Sequence, residues 1–348
     1  MMLPRVFLIF GTRLCAHFAN AKGTKMKQIK KIGGLNPLVI IATSIALAVI
    51  AALVFFNSSQ SRAQYLETAE FLNSQFVNGE YLEGFSPGAA EYGFSLEAIA
   101  QLSVAGEIDI SKAKKFLLET DSSYLFSEEA GEIVPGLAGK YLFASKVTSA
   151  ANKALTDSVI ESLLKLVKPD GSLDTLSPST FDYSWAILGL YSQDEKELAS
   201  AIAGELSSLA REDGGFGFDS SEFTEASSTD ATAIAIMALE LTKDLGSVAS
   251  GNQAAIDSAL AYLDSTMVDG SNFVAFDAID VNGTAYALMA YAAATGELSE
   301  PMQSFLIEMI QSDGGIGSPW VENAGDRFAT AQGYLALEGK NYLSLLGR

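Results

Sequence analysis

Along most of the chain, apolar positions recur at the spacing of helices rather than strands. Lys196–Ala210 shows the pattern. Leu198, Ile202, Leu206 and Leu209 form a stripe along one side of a helix. Glu212-Asp213-Gly214-Gly215 ends the segment, because glycine accepts the left-handed conformation that closes a helix. Phe216-Gly217-Phe218 then crosses to a polar stretch, and Ser228-Thr229-Asp230 caps a second helix, ATAIAIMALEL. The first helix is apolar on one side and the second on nearly all. A helix apolar all round has to be buried all round. The first helix therefore belongs to an outer layer and the second to an inner one.

The same unit recurs. Glycine loops or their relatives stand at Asn78-Gly79, Asp121-Ser122, Asp170-Gly171, Asp213-Gly214-Gly215, Asp269-Gly270 and Asp313-Gly314-Gly315. A small residue opens each following apolar run: Ser95, Gly139, Ser184, Thr232, Thr284 and Thr330. Both markers keep a beat of about 47 residues and both count six. An open solenoid needs polar end units. Here the first and last units are as apolar as the middle ones, so the six hairpins are expected to close into a ring. The fold class is all-α, an (α/α)6 toroid over residues 65–342.

Ahead of the ring, Pro37–Phe56 is uncharged and aliphatic, PLVIIATSIALAVIAALVFF. Twenty such residues span roughly 30 Å as a helix, the thickness of a bilayer core. Residues 1–36 carry seven basic side chains and no acidic one. Positive flanks stay cytoplasmic. The expectation is a single-pass, membrane-anchored protein with a cytoplasmic leader (1–36, with Met26 as an alternative start), a signal-anchor (37–56), a linker (57–64) and an extracytoplasmic body. The formal net charge of −20 is thus an average over unlike parts. Residues 57–348 hold 15 basic and all 42 acidic residues, a net of −27. Nucleic acid is excluded as a partner, because phosphate binding needs a positive footprint.

The loops and helix starts resemble a known family. Gln311-Ser312-Asp313-Gly314-Gly315-Ile316-Gly317, with Trp320 nearby, resembles the glycine loop of terpenoid cyclases and protein prenyltransferase β subunits. Arg211-Glu212-Asp213-Gly214-Gly215-Phe216-Gly217-Phe218 resembles a second copy. Ser228-Thr229-Asp230-Ala231-Thr232-Ala233 and Asp326-Arg327-Phe328-Ala329-Thr330-Ala331 resemble the family's helix-start element. The resemblance covers nearly the whole body and implies the squalene cyclase-like toroid. It does not carry the activity, because one fold hosts many functions.

The catalytic residues that the resemblance would imply are absent. The sole cysteine, Cys15, and the sole histidine, His17, precede the apolar stretch, so the body has neither zinc ligands nor a thioester cysteine. Asp-x-Asp-Asp and Asp-Asp-x-x-Asp strings do not occur; Asp277-Ala-Ile-Asp280 lacks an adjacent carboxyl to hold one proton. No cofactor and no metal is expected. Asp213, Asp219, Glu222 and Glu225 match no calcium loop and read as solvated acids. Asp182, Asp230 and Asp326 are the candidate carboxylates for acid–base work, with helix capping as the simpler role. Tyr92, Phe94, Tyr183, Trp185, Asn282, Tyr286, Phe328 and Tyr334 recur near the inner helix starts and are the candidate lining of a central cavity. The leading expectation is a non-catalytic module binding a hydrophobic or cobalamin-like ligand or a partner protein. The alternatives are a carboxylate-only enzyme, terpenoid-cyclase-like or glycan-active, and a structural scaffold.

Overall fold

The computed structural model describes residues 62–120, 122–127, 131–150, 152–218, 226–246 and 249–348. The expected leader and signal-anchor lie outside the described residues, as do Asp121, Asp219, Glu222 and Glu225. Among the described residues, no helix is long and apolar enough to cross a membrane.

Helices alternate between two layers, as the patterning predicts. The outer layer contains α1 (62–74), α3 (Ser111–Lys115, continued by a wider turn Phe116–Thr120), α5 (Lys153–Leu166), α7 (Lys196–Ser208), α9 (Ala249–Thr266) and α11 (Glu300–Glu308). The inner layer contains α2 (Tyr92–Leu102), α4 (Pro135–Val147), α6 (Thr180–Ser192), α8 (Thr229–Thr242), α10 (Val281–Thr295) and α12 (Arg327–Leu337). A short α13 (Tyr342–Leu345) follows. On α8 every side chain from Ala231 to Thr242 is buried, whereas α7 buries only Ala199, Ile202, Ala203 and Leu206. Residues 62–64, expected to be linker, already belong to α1.

The expectation of an all-helical body needs one correction. Two antiparallel strand pairs occupy outer-to-inner connections: β1 (Phe76–Val77) with β2 (Tyr81–Leu82), and β3 (Phe273–Ala275) with β4 (Ala278–Asp280). The turns Asn78-Gly79 and Phe276-Asp277 have positive φ, which reverses the chain over a few residues and lets its flanks pair.

The ring is closed. Each inner helix packs on the next, and α12 packs back on α2. The two sequence markers explain how. The hydroxyl of Thr330 accepts the Ile316 N–H at 2.9 Å and donates to the Asp326 carbonyl at 2.6 Å. Thr232, Thr284 and Ser95 accept the N–H groups of Phe216, Phe273 and Leu82 in the same way. In four of the six units the small residue thus ties the loop to the inner helix that follows it; Gly139 has no hydroxyl to do so, and the buried Ser184 hydroxyl has no hydrogen-bond partner. The loop glycine has a different task. At Gly314, φ is +90° and an added methyl would stand 2.8 Å from the Glu67 carbonyl on α1. Gly214 meets the Ser258 carbonyl on α9 in the same way, 2.6 Å from such a methyl. Gly171 likewise meets the Ala201 carbonyl on α7, so the third, fourth and sixth loops each seat on the outer helix of the following unit, the sixth on the first; Gly270 of the fifth loop has open space around it.

The tightest inner contact joins α4 and α6, where Gly139 and Gly189 face each other. A methyl at Gly139 would lie 2.0 Å from the Trp185 carbonyl oxygen. Backbone cannot retreat as a flexible side chain can. Gly139→Ala is expected to lose about 3 kcal/mol of stability through overpacking. Urea denaturation measures it, and an unchanged midpoint would contradict this contact.

Candidate active site

The inner helices run parallel, so their N-termini surround one end of the ring, the mouth, and their C-termini surround the other. From the second end α13 inserts Tyr342, which is fully buried against Phe143, Trp185 and Tyr286, with ring centroids 5.6, 4.9 and 6.2 Å away. These rings fill the axis at mid-depth.

Among them lies a charge. Glu97, on α2, is 1% exposed. Its Oε2 accepts from Lys140 Nζ at 2.7 Å, and its Oε1 accepts from the Tyr342 hydroxyl at 2.5 Å and from the Tyr286 hydroxyl. Gln101 Nε2 donates to Tyr342 Oη at 3.1 Å and Gln332 Nε2 to Tyr286 Oη at 3.3 Å. Asn282 Nδ2 donates to Gln332 Oε1 at 2.5 Å. Burial, reinforced by Glu97, holds both phenols well above the usual tyrosine range, so they remain donors. Lys140 also lies over the rings of Phe94 and Trp185, 5.6 and 5.1 Å from their centroids. Every carboxylate oxygen of Glu97 is matched, as a buried charge requires.

Above this floor, the mouth has two aromatic banks. Phe94 and Phe85 pack on Phe328 with centroids 4.6 and 4.8 Å away. Phe181 lies 5.9 Å from Phe218 and 6.4 Å from Tyr286. Of the eight expected lining residues, Phe94, Trp185, Asn282, Tyr286 and Phe328 converge on the axis. Three do not. Tyr92 stacks on Tyr124 at 4.6 Å, Tyr183 meets the Leu173 N–H at 3.4 Å, and Tyr334 donates to Glu338 at 3.1 Å. These three face away from the axis, because neighbouring positions on a helix point in different directions.

Two of the predicted carboxylates have capping partners that account for them. Asp182 closes a capping box with Ser179 and accepts the Gly136 N–H at 2.9 Å, tying α6 to α4. Asp326 caps α12 through the Phe328 N–H at 2.8 Å and takes the Ser318 hydroxyl at 2.5 Å. Asp230 accepts the Ser228 hydroxyl at 2.8 Å and the Ala231 N–H at 2.9 Å, and burial raises its pKa. Asp280, at the start of α10, accepts the Gly283 N–H at 2.8 Å. Burial pushes its carboxyl up to about 6 against that hydrogen bond, and the charge of Asp230 adds to the rise. The second carboxyl that the sequence around Asp280 lacks thus comes from the neighbouring inner helix. Among the described residues, no three His, Cys, Asp or Glu side chains gather to hold a metal.

Sequence reasoning missed Glu97, Gln101, Lys140, Gln332, Tyr342 and the pairing of Asp280 with Asp230. A signal for two of them was present. Glu97 and Lys140 are charges inside helices otherwise apolar on all faces, and such charges survive only when paired.

No known family profile matches the chain, and no curated protein does. Solved structures share its fold. A type II terpene cyclase, MstE from Scytonema, superposes with a TM-score of 0.59 at 13% identity, over 80% of this chain and 98% of that one. A glycosyl hydrolase family 88 protein from Bacteroides vulgatus gives 0.55 at 11%, over 80% and 98%. A possible GH105 family member from Salmonella enterica gives 0.58 at 11%, over 81% and 93%. At these identities the likeness establishes the terpenoid-cyclase-like toroid and no activity.

The Asp280 carboxyl predicts a pH signature. Its folded pKa of about 6 lies above the ordinary value of 3.8. Between pH 4 and 6 the folded chain keeps a proton that the unfolded chain has lost. Stability from this group therefore falls as pH rises through that window and is level above about pH 7. Asp280→Asn, which preserves a capping side chain, is expected to flatten the slope and to match or exceed the parent at pH 7 by about 1 kcal/mol. Thermal unfolding from pH 4 to 8 reads it; an unaltered slope would contradict the assignment.

Proposed function

We propose that the protein is an enzyme acting on glycans with carboxylates alone, at the mouth of the ring. Asp280 is the acid. Carrying its proton near pH 6, it protonates the oxygen of the bond to be broken, while Asp230 takes the proton of the attacking water. The observation that carries this reading is a pair of half-buried carboxyls, the charge of Asp230 raising Asp280, at the open end of a ring whose axis is otherwise filled. The filled axis speaks against a deep apolar pocket for an isoprenoid or corrinoid ligand and favours a chain-like substrate lying across the mouth. The fold neighbours whose names identify them as glycosyl hydrolases add support. A single-pass anchor through 37–56, with the body outside the cell, belongs to the same proposal and suits a polymeric substrate.

A panel of neutral and acidic polysaccharides, assayed for new reducing ends between pH 5 and 7, tests the reading. Asp280→Asn and Asp230→Asn are each expected to lower turnover at least about 100-fold while the protein stays folded. Activity undiminished in both variants, or no turnover on any polysaccharide, would overturn it.

A further inference from the structure

All six outer-to-inner connections emerge at the mouth face, and that face is unusually apolar. Among the described residues, nine of the ten strongly exposed large apolar side chains lie in these connections. The most exposed stand at the tips of four different connections: Leu176 at 97%, Phe85 at 85%, Phe276 at 84% and Trp320 at 69%. Single exposed apolar residues are ordinary, but a concentration on one face marks an interaction site.

Phe276 is placed there against the preference of its own backbone. It occupies the β3–β4 turn at φ +53°. A two-residue turn of this hand favours asparagine or glycine, and a bulky residue there is strained. Neither folding nor solubility rewards a phenylalanine at this point. A residue strained and exposed at once has its role outside the fold.

The tips are flanked by acid. Glu83, Asp277 and Glu322 each stand within two residues of a tip, and so does Asp174, which shares Lys168 at 2.8 Å. Lys168 is the one exposed cation among the described residues of these connections. We propose that the mouth face docks a basic, apolar polypeptide, whose apolar side chains cover the four tips and whose Lys or Arg residues meet the flanking acids. Charge decides between occupants. A second copy of this face, or an anionic bilayer, would bring like charges together. Carbohydrate stacking wants rings throughout, and the most exposed tip is a leucine. The proposal does not depend on the glycan reading.

The test uses the full chain and a labelled 18-residue peptide of leucine and lysine, with a lysine–serine peptide of equal charge and phosphatidylcholine vesicles as comparisons. Fluorescence anisotropy should show saturable binding of the leucine–lysine peptide, weakened by salt. Combining Phe85→Ser, Leu176→Ser, Phe276→Asn and Trp320→Ser should weaken it at least tenfold. Phe276→Asn alone should weaken it measurably without lowering the unfolding temperature, which separates lost docking from misfolding. The proposal is overturned by unchanged affinity in the combined variant, or by equal binding of the lysine–serine peptide. It is also overturned if the substitutions reduce vesicle binding while the leucine–lysine peptide does not bind at all.

Discussion

A carboxylate in the middle of a ring of helices has to be matched by donors from every side, because an unmatched buried charge would exceed the stability of an ordinary domain. Glu97 is such a carboxylate. Its partners come from α4, α10 and the segment after α12, and the side chains behind them come from α2 and α12. Elements at opposite ends of the chain meet at one group. The closure that the loop glycines establish at the periphery is therefore repeated at the axis, by interactions that require a defined geometry where apolar packing would tolerate variation.

This hub divides the molecule. Below it, Tyr342 and the neighbouring rings fill the axis and seal one end. Above it, the half-buried Phe94 and Phe181 reach toward solvent beside the buried Phe328, and the inner helix starts bring their carboxyls to the rim. The chemistry is thereby confined to a shallow layer. The proposed catalysis in that layer would use carboxyls whose proton affinity is raised by burial and, for Asp280, by the charge of Asp230, in a body without histidine or cysteine. The acid that gives the body its charge gathers in the same loops as the exposed apolar tips, so one face combines the candidate chemistry and the candidate docking surface.

The fold was legible because its signals are local and repeated. In four units the glycine or asparagine-glycine loop and the Thr or Ser at the inner helix start proved to be two ends of one hydrogen-bonded joint, as Thr330 with Ile316 illustrates. The site was less legible, because it is made by residues far apart in the chain. Asp280 looked solitary until the fold brought Asp230 to it from the neighbouring helix. Glu97 could have been singled out as a charge in an apolar helix, but its partnership with Tyr342, 245 residues away, has no local signature. Tyr92 and Tyr183 share the helix-start positions of the axial aromatics, and Tyr334 lies further along the same helix as Phe328, yet one step along a helix turns a side chain by about 100°.

Glu97 and Tyr342 hold the closed ring together as a coupled pair. A double-mutant cycle with Glu97→Gln and Tyr342→Phe, read by urea denaturation, tests it most directly. A coupling of about 1–2 kcal/mol is expected, as groups in one buried network show. Effects that add within about 0.3 kcal/mol would contradict it.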